Sequence, residues 1–381
     1  GPDEGAAGFA LDSAPPLGST VPMIHHLVSR FGSETIKLWL ALLLCALAPP
    51  LSAQSWATRD LCLIDEAKVH EDIFTPEFYA AMQDRGAEIP NGVGRYWRIT
   101  SDTGAVSHLW GTMHSTLPMI LRLPDQVTDT IEAARVVAVE TDYTQYTRPE
   151  LTVQRTSITR YSNAYTLNVP DLDIPPELLT WINGRLFGLG WGDDALGYLK
   201  AAAVAEILLS APCEDFSSGI YPIQDDRIQM LGALAGAEIL SLEEPGALFA
   251  KLDEEENPNL TRAMIAVYAS YLDPATPKEA FATSYALYLE GRIGEMMAWD
   301  ELYFEQTFPD EGPGWLDLTN DYLLRERNEV FLQSALEDLR QGGVFMAVGT
   351  YHLPKEYGLV AMLREAGFRV DRVPLEGEPP A

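Results

Sequence analysis

The chain is poor in the residues that most chemistry draws on, with six histidines and three cysteines in 381 residues. It is also short of positive charge: 26 basic residues stand against 56 acidic ones, for a formal net charge of −30. Such a surface repels phosphate backbones and anionic lipid headgroups, so no nucleic-acid partner is expected. The few cysteines lack the paired spacing of a structural zinc site. There is no His-Glu-x-x-His helix, no P-loop and no Gly-x-Gly-x-x-Gly dinucleotide turn. Ser115 lacks the Gly-x-Ser-x-Gly elbow of a hydrolase nucleophile. The apolar run Leu38 to Leu47 falls short of the ~20 residues that a membrane span needs.

What is present begins with an N-terminal leader. Gly1-Pro2 resembles a protease-cleavage scar, and residues 1–22 read as a tag or upstream segment without periodic pattern. Residues 23–53 read as a signal peptide. Arg30 and Lys37 form its basic start, Leu38 to Leu47 its apolar centre, and Pro49-Pro50-Leu51-Ser52-Ala53 a small-residue cleavage site. An uncleaved anchor or a buried helix is the competing reading of that run. The expectation is an exported protein, periplasmic or secreted, with no stable membrane span after cleavage near Gln54. Cys45 would leave with the leader. Cys62 and Cys213 remain, either as a disulfide pair or as two buried thiols. Residues 54–381 read as one domain, and an apolar share of 47% permits a substantial core.

One four-residue signature occurs twice. Gly111-Thr112-Met113-His114 and Gly349-Thr350-Tyr351-His352 each follow a short apolar run that reads as a buried strand. The glycine breaks the strand and allows close backbone approach to a ligand or another segment. The histidine then falls at the C-terminal lip of the strand, where open α/β sheets gather ligands. Each copy continues with Leu-Pro (Leu123-Pro124, Leu353-Pro354), a helical stretch, and a strand, Val136 to Glu140 or Phe368 to Val373. Right-handed crossovers would place these strands in one parallel sheet, with the two histidines able to meet.

Elsewhere, residues 54–90 look helical, and Asp102-Thr103-Gly104 reads as the turn of a hairpin leading into the first signature. From about 149 to 331 the pattern is mainly helical. Candidate helices run Leu178 to Leu189, Asp194 to Leu209, Ile223 to Ala235, Leu260 to Leu272 and Lys278 to Tyr303. Ile239 to Glu243 reads as a short strand, Phe308 to Leu316 as a loop, and Leu318 to Gln341 as a helix. The fold class expected is therefore α/β. A central mixed, largely parallel sheet is built from the two repeated units, and a helical insertion covers the site.

Several side chains then become candidates. Glu140 ends a buried strand, with Asp142 on the same pleated face, and an acid there needs a metal, an arginine or a catalytic duty. Glu243 closes another strand in the same way, although Glu244 precedes Pro245 and one of the two acids reads first as the start of a turn. Asp225 and Asp226 open a helix, where capping explains one of them. The alternating charges of Arg325-Glu326-Arg327-Asn328-Glu329 read first as a solvated helix face, from which Arg327 could instead clamp a carboxylate and Asn328 orient a histidine or a substrate carbonyl. His108 reads as a solvent-face residue of its strand.

The ordered set resembles the TraB/PrgY/GumN family, whose animal relatives include the Tiki metalloproteases. The matching pieces are His108-Leu109-Trp110-Gly111-Thr112-Met113-His114, Val137-Ala138-Val139-Glu140, Leu242-Glu243, Arg327-Asn328, Ala347-Val348-Gly349-Thr350-Tyr351-His352-Leu353-Pro354, Gly358-Leu359 and Ala366-Gly367-Phe368. The resemblance implies a Tiki-like fold, similar also to erythromycin esterases and haem-binding ChaN proteins. It implies an active centre of His114, His352 and Glu140 holding a divalent ion (manganese, cobalt or zinc), with Arg327 and Asn328 in support. Asp142, Glu243 and Asp225 are further candidate ligands. Asp225 sits where the family has an acidic residue, although extra residues follow Gly219 here. The activity so implied is metal-dependent hydrolysis of a peptide or protein substrate. Two other readings stay open: a metal-free esterase or amidase using His114 as general base, and a non-enzymatic protein that captures a peptide or tetrapyrrole.

Overall fold

The computed structural model describes residues 62–142, 167–210, 212–213, 223–254 and 257–380. The tag and signal segments expected at 1–53, the first part of the helical insertion at 149–166 and the stretch after Gly219 lie outside the described residues.

The sheet starts from the hairpin that the turn signal foretells. Strands β1 (Tyr96–Thr100) and β2 (Val106–Thr112) pair antiparallel, and Gly104 closes the turn at φ +84°. Only glycine takes that conformation without a Cβ penalty. Four further strands follow: β3 (Val136–Val139), β4 (Glu238–Ser241), β5 (Val344–Gly349) and β6 (Arg369–Arg372). Their order in the sheet is β4-β3-β5-β2-β1-β6. β2, β5, β3 and β4 are mutually parallel, and β1 runs against both its neighbours. The fold is α/β with a mixed, mostly parallel sheet. The strand of the second repeat, β6, lies at the far edge against β1, while β5 inserts between the two strands of the first repeat. That interleaving brings the two signatures side by side.

Both faces of the sheet are covered, as a parallel sheet requires. Side chains of β3 alternate accordingly. Val136 and Ala138 join Phe331, Ala335, Leu359 and Leu363 in one core, while Val137 and Val139 join Val127, Ile131 and Ile228 in another. A third core lies wholly among the helices of the insertion, around Ile182, Val204, Met264 and Trp315.

The helices α1 (Pro76–Glu88), α2 (Pro118–Leu121), α3 (Asp125–Glu132), α4 (Pro176–Gly188), α5 (Ala195–Tyr198), α6 (Ala201–Leu208), α7 (Gln224–Ala235), α8 (Ala247–Leu252) and α9 (Pro258–Ser270) are followed by α10 (Lys278–Leu289), α11 (Ile293–Thr307), α12 (Gly312–Asn320), α13 (Arg327–Gln341) and α14 (Leu359–Glu365). Some depart from the expected pattern. Of the stretch 54–90, the described part is an α-helix only from Pro76, where Thr75 accepts a hydrogen bond from the Phe78 amide (3.2 Å) and proline begins the helix. The helix expected over Asp194 to Leu209 is two, broken where Lys200 forms an isolated bridge with Asn168. That expected over Lys278 to Tyr303 is also two, broken at Gly291, whose φ is +66°. The loop expected over Phe308 to Leu316 is in part helix α12. Pro313 falls in its first turn, where a missing N–H and a fixed φ cost nothing. Residues Asp321–Glu326 wind as π-helix and carry α12 straight into α13.

Candidate metal centre

Glycine makes the convergence of the two signatures possible. Strands β2 and β5 run in register with Thr112 opposite Gly349. A Cβ on Gly111 would lie 2.7 Å from Thr350 Oγ1 and 3.1 Å from Thr350 Cα. The first signature therefore packs directly on the second, and only hydrogen fits between them.

Glu140 is the first residue past β3, next to β5. Its Oε1 accepts the Gly349 amide (2.7 Å) and its Oε2 accepts Arg327 Nη2 (2.8 Å). His352 Nε2 lies 3.7 Å from Oε1. From the first signature, Thr112 Oγ1 donates to Asp225 Oδ1 (2.8 Å), and His114 Nε2 stands 3.6 Å from Asp225 Oδ2. Ligand atoms of His114, Glu140 and Asp225 all lie within 4.8 Å of one another. His352, also expected as a ligand, stands outside this group of three but adjoins it through Glu140.

The electrostatics follow from these neighbours. Partial desolvation of the His114 ring, whose side chain is still 47% exposed, would lower its pKa, but the Asp225 carboxylate, with a smaller contribution from Glu140, holds it above the ordinary imidazole value. Burial would raise Glu140, yet Arg327, with His114 and the Gly349 amide, holds it well below the usual carboxylate range. For His352 burial prevails and lowers the pKa to about 3, so the ring is neutral. Its tautomer is set by Asn328, which is fully buried. The Asn328 amide donates to the carbonyls of His352 (3.2 Å) and Tyr357 (2.8 Å), which leaves its Oδ1 to accept from His352 Nδ1 (2.7 Å). The Nε2 lone pair then faces Glu140 Oε1, and two electron-pair donors at that separation repel unless a cation or proton lies between them.

One observation tests whether this cluster suits a metal. Asp225 Oδ2 is buried and has no hydrogen-bond partner among the described residues, although it faces His114. A buried carboxylate oxygen in that state is costly unless a cation satisfies it: protonated His114 at 3.6 Å does so in part, and a metal ion would take that place when His114 is neutral. One imidazole and two carboxylates, with a second imidazole alongside, form a donor set suited to zinc, manganese or cobalt. The residues fit the ion.

The remaining candidates have other partners. Glu243 is forked by Arg327, through Nε (3.0 Å) and Nη2 (2.5 Å), so it neutralises the arginine instead of facing His114. Asp142 does not extend a pleated face with Glu140, because β3 ends at Val139. Its Oδ1 accepts from Gln229 Nε2 (3.0 Å), and its amide donates to Ser241 Oγ (2.9 Å), which ties the ends of β3 and β4 together. Asp226 caps its helix by accepting the Ile223 amide (3.1 Å). His108 is half-buried and stacks on Tyr96, with ring centroids 5.3 Å apart. Cys62 and Cys213 are joined as a disulfide.

Sequence reasoning missed Gln224. This buried amide donates to the Ile120 carbonyl (2.6 Å) and accepts from Trp110 Nε1 (3.0 Å) and the Met113 amide (3.3 Å), and Tyr288 Oη lies 2.8 Å from it. It fixes the backbone of the first signature. A lone glutamine at a helix start carries no signal of such a role, although its neighbour Asp225 was a candidate.

The model of the TraB/PrgY/gumN family matches residues 96–372. No curated protein and no solved structure matches the chain. The family match opens at the first residue of β1 and closes on the last of β6, so every strand of the sheet lies inside it. The chain belongs to the TraB/PrgY/gumN family.

Proposed function

We propose that this protein is an exported, metal-dependent hydrolase acting on peptide bonds. The observation that carries the reading is the convergence of His114, Glu140 and Asp225 around Asp225 Oδ2, a buried oxygen with no hydrogen bond among the described residues, at the carboxyl ends of the parallel strands. His114, Glu140 and Asp225 would hold the ion, with His352 beside them. When bound, a divalent ion lowers the pKa of water and polarises a carbonyl oxygen. The chain's own groups supply the rest. Arg327 keeps Glu140 ionised and in place, and its Nη1 makes no hydrogen bond among the described residues. That nitrogen is a donor for the oxygen that gains charge during acyl transfer. His352 is neutral and held by Asn328 at Nδ1, which turns its Nε2 lone pair toward Glu140 as an electron-pair donor. The His114 side chain is 47% exposed, which leaves the centre open to a substrate.

Peptide as the substrate class follows the resemblance to the Tiki metalloproteases. Export through residues 23–53 belongs to the same proposal, and the Cys62–Cys213 disulfide supports it, since disulfides persist in oxidising compartments. A metal-free reading, with His114 as general base, draws on the His114–Asp225 pair at 3.6 Å.

Elemental analysis after chelation and reloading with manganese, cobalt or zinc tests the proposal. Wild type should retain about one ion per chain, and His114→Ala and Asp225→Asn should retain none. No ion in the wild type would overturn the metal reading. Hydrolysis that persists after chelation would favour His114 as base.

A further inference from the structure

A pocket separate from the metal cluster lies between α9, α11, α12 and the second signature, lined among others by Tyr268, Tyr271, Asp300, Thr319 and Tyr351. Three tyrosine rings surround one carboxylate. Asp300 Oδ2 accepts the Tyr351 hydroxyl (2.7 Å), and Tyr271 also donates to Asp300. No cation pairs with Asp300 among the described residues. Its neighbour Glu301 is served by Lys355 (2.7 Å) and Arg85 (3.7 Å), so the chain's own cations nearby are already engaged. Thr319 is 2% exposed, and its hydroxyl has no hydrogen-bond partner among the described residues. The pocket thus holds a carboxylate without a counter-ion, a free hydroxyl and an aromatic wall.

It also adjoins the proposed catalytic groups. Tyr351, which lines it, is the residue before His352 in the second signature. Through His352, whose Nε2 lies 3.7 Å from Glu140 Oε1, the pocket wall is joined to the proposed centre. We infer that this pocket binds a primary alkylammonium group, the end of a lysine-like side chain on the substrate. Asp300 is its counter-ion, Thr319 Oγ1 a further acceptor, and the tyrosine rings the wall against which cations are attracted. The large negative charge of the chain draws such cations in. Burial raises Asp300 to about 6 despite its two tyrosine donors, as expected of a carboxylate without a cation. The assignment to a substrate side chain rests on the hydrolase reading; the binding of the ammonium group does not.

Two arms separate these. In the first, n-butylammonium and its neutral analogue 1-butanol are titrated into the full chain, followed by tyrosine fluorescence. Wild type and His114→Ala should bind n-butylammonium saturably, Asp300→Asn at least about tenfold more weakly, and 1-butanol should not compete. Equal binding by Asp300→Asn, or equal binding of 1-butanol, would overturn the inference. Thr319→Val, expected to weaken binding in the same direction, keeps the test decisive if Asp300→Asn does not fold. In the second arm, acetyl-capped peptides carrying lysine or norleucine are offered with an uncapped norleucine peptide. Preference for the capped lysine peptide, lost in Asp300→Asn, is the expected result. Equal cleavage of the two capped peptides, or an equal preference for the uncapped one, would sink the side-chain assignment. Ammonium binding without any cleavage would remove the hydrolase reading and leave the pocket standing.

Discussion

Arg327 shows how much one side chain carries here. It is nearly surrounded by Glu140, Glu243 and the ring of Phe331, which lies 4.9 Å from its guanidinium carbon. Arg327→Ala would leave two buried acids without their cation, so a loss on the order of 3–5 kcal/mol is expected in urea unfolding. Arg327→Lys keeps the charge but cannot fork two carboxylates. It should fold with a smaller loss and, on the proposed hydrolase function, lower turnover by about 10²-fold. Equal turnover of the lysine variant and wild type would show that the fork has no catalytic part. Asp300 carries the opposite sign of effect. Its folded pKa is raised to about 6 from an unfolded value near 3.8. Protonation therefore favours the native state: the gain is complete below the unfolded value and is lost as pH rises through 6. Tyr271, Tyr351 and Tyr268 face it, and nearby Glu301 is neutralised by Lys355 and Arg85. Asp300→Asn should melt like wild type near pH 4 and be more stable at pH 7.5 by about 1–2 kcal/mol. Identical pH profiles would refute this. Sequence alone allowed Arg327 as a carboxylate clamp beside the commoner reading of a solvated helix face, and left both partners unnamed, because Glu140 and Glu243 reach it from separate strands.

Elements explain where those side chains point. The wider winding of Asp321–Glu326 ends at Arg327, so the π-helical turns set the phase that presents Arg327 to the acids and Asn328 to His352. Such turns recur at functional sites, and composition gives no hint of them. Pro313 misled the reading of α12 because proline inside a helix and proline in its first turn look alike when the start is unknown. Gly111 was legible in kind, as a residue that permits close approach, but the approaching partner, Thr350, was not. Gly111→Ala should push the two signatures apart at the tips of β2 and β5, at a cost of about 1–3 kcal/mol. Metal affinity, read by competition with a chelator, should fall with it. Unchanged affinity would mean that the centre tolerates a looser junction.

At the scale of the whole molecule, the disulfide joins the start of the described chain to the insertion across a separation of 151 residues. A loop of that length confines the unfolded chain strongly. Replacing both cysteines by serine should therefore cost about 2–5 kcal/mol in urea unfolding, and reductant should have little further effect on the variant. The sequence by itself determined the class of fold and the local parts of the centre. Apolar runs ending in glycine, a histidine three residues on and a carboxylate at a strand end are short-range patterns set by backbone geometry and burial. Tertiary structure alone decided the partnerships. Asp225 meets His114, Arg327 joins Glu140 to Glu243, and three tyrosines enclose Asp300 because β5 inserts between β2 and β3 and the helical insertion folds over their ends. Strand order and crossovers set those distances, and no local periodicity encodes them.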